Sequence, residues 1–163
     1  MDFDSFTTLI KSFTGYDENI WSEIEDKEEQ DDKDSFFAKR LITGLAAEQY
    51  FETIQPQIPE FSKYTLENTT KIGCGYDFRL LMESKEEFLA VEVKGLKDRS
   101  GNLALTPKEY NVAATLTNRY FLFVVKNFRE IPFHEIYKNP LSGSLHFTRK
   151  ERMLVSVSWL ASV

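Results

Sequence analysis

The chain has 163 residues, of which 42% are hydrophobic, so it is long enough for one domain with a buried core and too apolar for a mostly disordered protein. Its single cysteine excludes an internal disulfide and a thiolate metal cluster, and its net charge of −6 argues against a uniformly basic nucleic-acid-binding protein. No apolar run approaches the roughly 20 residues that span a bilayer, and the start MDFDSFTTLI lacks the pattern of a secretory signal. We therefore expect a soluble, cytoplasmic protein with no membrane partner.

The charge is distributed unevenly along the chain. Residues 1–35 carry twelve acidic and three basic side chains, a net charge of −9, whereas residues 36–163 carry fourteen acidic and seventeen basic side chains, a net charge of +3. Contacts to phosphates depend on local positive potential rather than on total charge, so the basic part is compatible with DNA as a partner. We expect an acidic helical extension or linker at residues 1–35 and a folded domain at residues 36–163.

Helical patterns occupy the first third of the chain. Apolar residues three or four apart predict a short amphipathic helix over residues 3–13, while the charge run from Glu23 to Ser35 is typical of a solvated linker or a frayed helix. A longer helix is predicted from Phe36 to Gln55, ended by two prolines, and Glu48 is expected along its apolar face. That face consists of Phe37, Leu41, Leu45 and Glu48.

Strand patterns follow this helix. Residues 64–71 predict a first strand, and the β-rich runs 75–82 and 88–95, joined by a polar segment, predict an antiparallel hairpin. A short further strand is predicted at residues 103–105.

The second half of the chain begins with a clear helix signal. The sequence from Thr106 to Glu109 combines a capping box with proline at the first helical position, which predicts a helix that runs to about Asn118. Residues 120–126 then have the apolar, β-branched content of a buried central strand. The tail is predicted to contain one helical turn at residues 134–137 and strands at residues 145–147 and 153–160.

Charged residues interrupt the apolar strand FLAVEVKG. Because side chains alternate between the two faces of a strand, Glu92 and Lys94 lie on one face, and Val91 and Val93 lie on the other. A carboxylate and an ammonium on a buried strand cost several kcal/mol unless they have partners. Asp77, on the neighbouring run of the hairpin, brings a second carboxylate close to Glu92, and two carboxylates suit Mg²⁺.

An aspartate followed fifteen residues later by Glu-Val-Lys resembles the D…(D/E)XK signature of the PD-(D/E)XK phosphodiesterase superfamily. The wider stretch GYDFRLLM…FLAVEVKGLKDRSGNLALTPKEYNVA…RYFLFVV resembles the bacterial and plant domain named for the C-terminus of the NO VEIN protein, a branch of that superfamily. The resemblance covers roughly residues 36–126. Two features depart from the pattern: Tyr76 stands where the signature has proline, and neither the acidic extension nor the tail from about Pro132 has a counterpart.

The resemblance implies an α/β (α+β) fold of restriction-endonuclease type, with a central mixed sheet flanked by helices. It also implies hydrolysis of nucleic-acid phosphodiester bonds with Mg²⁺ or Mn²⁺. The implied metal ligands are the carboxylates of Asp77 and Glu92 and the backbone carbonyl of Val93. Lys94 is implied to orient or help deprotonate the attacking water and to stabilise charge that grows on the phosphate.

Other residues have both a functional and a structural interpretation. The resemblance implies an extra catalytic carboxylate, for which Glu48 is the candidate and Glu52, one helical turn later, is its rival. Glu109 can reach the site, but its capping-box role explains it, and Tyr110 is interpreted as core packing. Basic residues near the site in sequence are candidates for phosphate contacts or are ordinary surface charges. These are Lys97, Arg99, Lys108 and Arg119.

Two functions are consistent with these patterns. The first is a metal-dependent DNA endonuclease in restriction, phage defence or mobile-element biology, for which a homodimer is favoured because a small domain carries a single active centre. The second is a catalytically idle module of the nuclease fold that binds nucleic acid or a protein partner, with the acidic segment occupying the basic face. For Glu92 and Lys94 themselves, the structural alternative is an ion pair at a sheet edge, with Asp77 in a turn. The chain has no Gly-rich phosphate loop and only two histidines, which argues against nucleotide-binding enzymes and histidine-metal nucleases.

Overall fold

The computed structural model describes residues 34–143, 145–151 and 159–162. In chain order, the elements are helix α1 (Asp34–Ile54), strands β1 (Thr65–Asn68), β2 (Phe78–Leu81) and β3 (Leu89–Gly95), helix α2 (Pro107–Leu116), and strands β4 (Tyr120–Lys126) and β5 (Phe133–Lys138). Short 3-10 helices, Gln55–Gln57 and Thr117–Arg119, follow α1 and α2. Within these residues, no helix combines the length and the apolar character needed to cross a bilayer.

The five strands form one mixed sheet in the order β1-β2-β3-β4-β5. Neighbouring strands are antiparallel except β3 and β4, which are parallel because α2 carries the chain back between them. The predicted hairpin is confirmed, since Phe78 pairs with Val91 and Arg79 pairs with Ala90. The fold is therefore the predicted α+β arrangement of a central mixed sheet flanked by helices.

The main core lies between α1 and one face of the sheet. Phe51 of α1 is fully buried there. The centre of its ring lies 5.0 Å from the centre of the Phe78 ring and 4.8 Å from the centre of the Phe123 ring. Val91 and Val93 of β3 belong to the same buried cluster. Burial of such large apolar side chains is worth about 1.5–3 kcal/mol each, so this face supplies most of the packing that holds α1 on the sheet.

A smaller core lies on the opposite face, under α2. Ala113 of α2 packs there against Tyr76, Ala90 and Tyr120. Because Ala90 and Val91 alternate along β3, the two clusters lie on opposite faces of the sheet. Helix α2 therefore covers the face on which Glu92 and Lys94 were expected.

The prediction that Leu45 lies on the apolar face of α1 is wrong, while the side chains of Phe37 and Leu41, predicted on the same face, lie outside the described residues. Leu45 is 50% exposed, while the small residues Ala46 and Ala47 are buried. The reason is a close approach of α1 to the end of β3: a Cβ atom at Gly95 would lie 2.6 Å from the carbonyl oxygen of Thr43 and 3.1 Å from Ala47 Cβ. Small side chains face the sheet at this point, so the larger Leu45 turns outward.

Several local predictions at the end of the domain are also wrong. Residues 103–105 form no strand, because both edges of β3 are occupied by β2 and β4. Residues 134–137, predicted as a helical turn, lie in β5, where His134 pairs with Val125. One edge of β4 is paired with β3, and β5 supplies the hydrogen-bonding partner for its other edge.

In the tail, residues 145–147 form no strand, and neither do residues 159 and 160. The remainder of the predicted strand at residues 153–160 lies outside the described residues. The predicted helix at residues 3–13, and the charge run up to residue 33, also lie outside them. Asp34 and Ser35, which were expected in the linker, begin α1.

Candidate functional site

The site is built on β3, whose alternation is the predicted one. Val91 and Val93 point into the core under α1, whereas Ala90 packs under α2 on the face that also holds Glu92 and Lys94. Glu92 is 3% exposed, which is unusual for a carboxylate. Its burial within a strand means that its charge must be compensated by neighbouring groups.

Asp77 lies directly before β2 and is fixed against β3 by two hydrogen bonds. Its backbone N–H donates to the carbonyl oxygen of Val91 at 3.0 Å, and its Oδ2 accepts from the N–H of Val93 at 2.9 Å. Its own carbonyl oxygen accepts from the N–H of Thr69 at 2.8 Å and from the Thr69 hydroxyl at 2.9 Å. The strand pairing therefore holds the Asp77 carboxylate beside the residue that separates Glu92 from Lys94.

Lys94 links two carboxylates. Its Nζ lies 2.5 Å from Glu92 Oε1 and donates a hydrogen bond to Glu109 Oε2 at 2.9 Å. Glu109 Oε2 also accepts from the N–H of Thr106 at 3.0 Å, while Thr106 Oγ1 accepts from the N–H of Glu109 at 3.3 Å. The predicted capping box is thus confirmed, and the same glutamate reaches the site, so capping alone does not explain Glu109.

Burial and repulsion between carboxylates raise the pKa values of Glu92 and Asp77. Burial raises the pKa of Glu92 to about 8, and the Lys94 ammonium opposes this shift while the carboxylates of Asp77 and Glu109 add to it. Burial likewise raises the pKa of Asp77, against the stabilising hydrogen bond from Val93. The acids outnumber the ammonium, so an additional cation would be stabilised here.

Lys94 itself stays protonated at neutral pH. Burial lowers its pKa, but the charges and hydrogen bonds of Glu92 and Glu109 outweigh burial, so the pKa of Lys94 lies above its usual value. A lysine held in this way is a positive charge and a hydrogen-bond donor rather than a proton acceptor.

Glu48 of α1 is half-buried and lies within electrostatic reach of the site. Burial, followed by the negative charges of Asp77 and Glu52, raises the pKa of Glu48 to about 7, and the Lys94 ammonium lowers it. Its rival Glu52 accepts a hydrogen bond from Asn68 Nδ2 at 2.7 Å and is exposed. Of the two, Glu48 is the better candidate for the extra carboxylate, although Leu45 beside it is not part of an apolar face.

Tyr120 is a residue of this region that the sequence interpretation missed. Its hydroxyl donates to the carbonyl oxygen of Gly75 at 3.0 Å, and its pKa is raised by burial and by the charges of Glu92, Glu109 and Asp77. Gly75 has a φ of +92°, and a Cβ atom there would lie 2.8 Å from Val112 Cγ2. The hydrogen bond from the Tyr120 hydroxyl to Gly75 fixes the turn that precedes Asp77. A tyrosine at the start of an otherwise apolar buried strand was the available signal, because a buried hydroxyl needs a partner.

The four basic residues proposed for phosphate contacts do not lie together. The register of β3 and β4 places Tyr120 beside Ala90 and Val125 beside Gly95, so Arg119 and Lys97 lie beyond opposite ends of this strand pair, which is about 17 Å long from Tyr120 to Val125. The Arg99 guanidinium lies 5.6 Å from the centre of the Phe133 ring, and Arg119 Nε lies 3.9 Å from Glu87 Oε2. Lys108 lies at the start of α2 and is exposed.

Two further predictions concern Tyr110 and Cys74. The assignment of Tyr110 to the core is wrong: it is 45% exposed and contacts the ring of Phe147, because α2 turns Ala113 rather than Tyr110 towards the sheet. Cys74, interpreted as a small packed thiol, is half-buried and its Sγ lies 3.5 Å from the carbonyl oxygen of Tyr76.

The donor set is suited to a hard divalent cation. Asp77 and Glu92 provide carboxylate oxygens, and because burial disfavours their ionised forms, a cation beside them would stabilise those forms. Within residues 34–143, 145–151 and 159–162, no three His, Cys, Asp or Glu side chains converge as a ready-made metal cluster.

Comparison with known proteins gives one family. The family model described as "Protein NO VEIN, C-terminal" matches residues 46–138, more than half of the chain, and the match includes α1 from Ala46, all five strands and α2. Neither a curated protein nor a solved structure matches the chain significantly. The matched range contains each of the site residues from Glu48 to Glu109, and the chain therefore belongs to the family of the NO VEIN C-terminal domain.

Proposed function

We propose that this domain is a metal-dependent endonuclease that hydrolyses phosphodiester bonds of DNA. The observation that supports the proposal most is the convergence of Asp77 with Glu92 and Lys94: the Val93 N–H joins Asp77 to β3 at 2.9 Å, and Lys94 Nζ lies 2.5 Å from Glu92. An acidic pocket with a protonated amine beside it matches what phosphodiester hydrolysis requires, namely a metal site and a donor for the phosphate oxygens.

Asp77 and Glu92, with the carbonyl of Val93 as a proposed third ligand, would hold a Mg²⁺ or Mn²⁺ ion, which supplies Lewis-acid stabilisation of the phosphoryl oxygens and a more acidic bound water. The Val93 N–H orients the Asp77 carboxylate, so the strand pairing fixes its position before substrate arrives. Lys94, being protonated, donates hydrogen bonds to oxygens that gain negative charge. It is therefore better suited to stabilising the phosphate than to removing a proton from water.

Glu48 is the residue best suited to proton transfer. Its pKa of about 7 means that both its protonated and ionised forms are populated near neutral pH, which is the condition for efficient general acid–base chemistry. We propose that Glu48 accepts the proton of the attacking water and that Glu109 keeps Lys94 in place through its 2.9 Å hydrogen bond.

Cleavage of supercoiled plasmid in Mg²⁺ or Mn²⁺ tests this proposal. Asp77→Asn and Lys94→Ala are each expected to abolish cutting. Matched controls come from similar groups outside the site: Asp98→Asn, which loses an exposed pair with Arg129 at 3.2 Å, and Lys126→Ala, which loses a pair with Glu135 at 2.6 Å. Both controls should cut like the wild type.

Equal cutting by all five proteins would refute the assignment of Asp77 and Lys94. Loss of cutting in the controls to the same degree as in the site variants would attribute the effect to stability instead.

The second candidate is a module that binds nucleic acid or a protein partner without cutting. It is favoured by one observation: Lys94 already has two carboxylate partners, as expected of a structural ion pair. On this account the plasmid stays intact with every metal. DNA affinity would then be the same in the wild type and in Asp77→Asn, and deletion of residues 1–35 would raise that affinity if the acidic segment covers the basic part.

A further inference from the structure

A groove of about 490 Å³ lies beside the site, between α2 and the residues just before β2 and β3. One wall is formed by the rings of Tyr76 and Phe88, which lie 5.7 Å apart. The other wall is α2, which contributes Lys108, Asn111 and Thr115 together with aliphatic side chains. Its volume falls within the usual range of about 300–1,000 Å³ for small-ligand sites.

Lys108 is the charged residue in the lining of the groove, and two arginines outside that lining lie against the Phe88 ring. The guanidinium of Arg79 lies 4.8 Å from the centre of the Phe88 ring, and that of Arg119 lies 5.9 Å from it. Arg79 also donates a hydrogen bond to the Tyr76 hydroxyl at 3.3 Å. Arg79 forms an ion pair with Glu67 at 3.5 Å, and Arg119 forms one with Glu87 at 3.9 Å. Both pairs are partly exposed, so another anion can replace the glutamate.

An unsatisfied donor lies next to the groove. Arg79 Nε is buried and has no hydrogen-bond acceptor among the described residues. Because this atom has no exposed surface, a ligand would contact Arg79 through the rest of its side chain, which is 34% exposed. On the helix wall, Lys108 and Asn111 are exposed, so their amine and amide groups are accessible to a ligand. The Thr115 hydroxyl donates to the carbonyl oxygen of Asn111 at 2.9 Å, so towards a ligand it acts as an acceptor.

The groove is adjacent to the candidate active site through the chain itself. Tyr76 directly precedes Asp77, and Lys108 directly precedes Glu109, which holds Lys94. Thr115 follows Glu109 by six residues of helix, a rise of about 9 Å. The groove and the candidate site therefore share the segment before β2 and the first turn of α2.

We propose that this groove binds an unpaired nucleobase of the nucleic-acid strand that the domain cuts, an inference that rests on the proposed function. Flat aromatic walls, nearby guanidinium groups and an exposed amide are the chemistry that recognises bases in single-stranded nucleic acid. The arginines and Lys108 meet the negative charge of the backbone on either side of the base. Binding there places the neighbouring phosphodiester at the carboxylates.

Binding of a fluorescently labelled single-stranded DNA oligonucleotide, measured by anisotropy in EDTA, separates this proposal from catalysis. Thr115→Phe fills the groove from an exposed helix position, and Ala114→Phe is its matched control on the neighbouring exposed position of α2. We expect Thr115→Phe and Phe88→Ala to weaken binding by about tenfold or more and Ala114→Phe to bind like the wild type. An oligonucleotide of the same length with abasic sites should bind the wild type about tenfold more weakly as well.

The proposal is overturned if the wild type does not bind the oligonucleotide, if abasic DNA binds equally well, or if Thr115→Phe retains full affinity. A change of oligomeric state in Thr115→Phe, measured by sedimentation, with unchanged DNA affinity would assign the groove to a second copy of the chain and would also overturn it. The two proposals fail differently: base-dependent binding without plasmid cutting refutes only the nuclease, and cutting without base-dependent binding refutes only the groove.

Discussion

Replacing Glu92 by glutamine is expected to change how the stability of the metal-free protein depends on pH. The unfolded chain releases the Glu92 proton near pH 4.5, whereas the folded protein releases it at about pH 8. Folded protein therefore binds more protons in this window, and its stability falls as pH rises from 4.5 towards 8. Each tenfold difference in proton affinity between the folded and unfolded states is worth about 1.4 kcal/mol, so the stability lost between pH 4.5 and pH 7 is roughly 3 kcal/mol.

Glutamine removes this contribution because it has no proton to lose. The pKa values of Glu48 and Asp77 are also raised, so these residues lower stability with rising pH in both proteins, and their effect largely cancels in the comparison. Lys94 keeps its partner Glu109 in the variant. The expected result is a Glu92→Gln protein that is more stable than the wild type at pH 8 and closer to it at pH 5.

Urea unfolding followed by circular dichroism, in EDTA at pH values between 5 and 8, measures this difference. The free energies of unfolding of the two proteins should diverge steadily as pH rises. Parallel profiles, or a variant that loses stability at pH 8, would show that Glu92 is ionised and satisfied in the folded state, which contradicts the reasoning from its burial.

Three further predictions concern the scaffold, and urea unfolding measures the first two. Gly95→Ala should destabilise the fold by about 1–3 kcal/mol because its Cβ would lie 2.6 Å from a backbone oxygen of α1, whereas Gly101→Ala meets no atom closer than 3.5 Å and should be neutral. Thr106→Ala removes the cap of α2 and should cost about 1 kcal/mol, while Thr106→Ser should restore most of it. Tyr50→Phe removes a 3.0 Å hydrogen bond to His134 Nδ1, yet the lowered pKa of His134 should persist in an NMR titration because burial is its first cause; a return to the usual value would refute this.

The sequence predicted the elements whose signals are local. Thr106 and Glu109 form the capping box that their spacing indicates, and the alternation along β3 places Glu92 and Lys94 on one face. The hairpin was also predictable, because two β-rich runs joined by a short polar segment have few other ways to pair. Through that pairing Asp77 comes to its position beside β3.

Features that depend on distant parts of the chain were not predictable in the same way. The buried face of α1 is set by contact between Ala47 and Gly95, which are 48 positions apart, so periodicity alone favoured Leu45. Residues 134–137 form a strand because β4 has a free edge, a fact that no local propensity encodes. The contact of Glu109 with Lys94 likewise arises only when α2 folds over β3.

The central claim is that Asp77 and Glu92 hold a divalent cation beside Lys94. Titration of the protein with Mn²⁺, with the free ion followed by electron paramagnetic resonance, tests it without any assumption about substrate. We predict saturable binding to the wild type and to Asp98→Asn, strengthening as pH rises towards 8 because the proton on Glu92 competes with the metal, and loss of binding in Asp77→Asn. Equal Mn²⁺ binding by Asp77→Asn and the wild type would contradict the account.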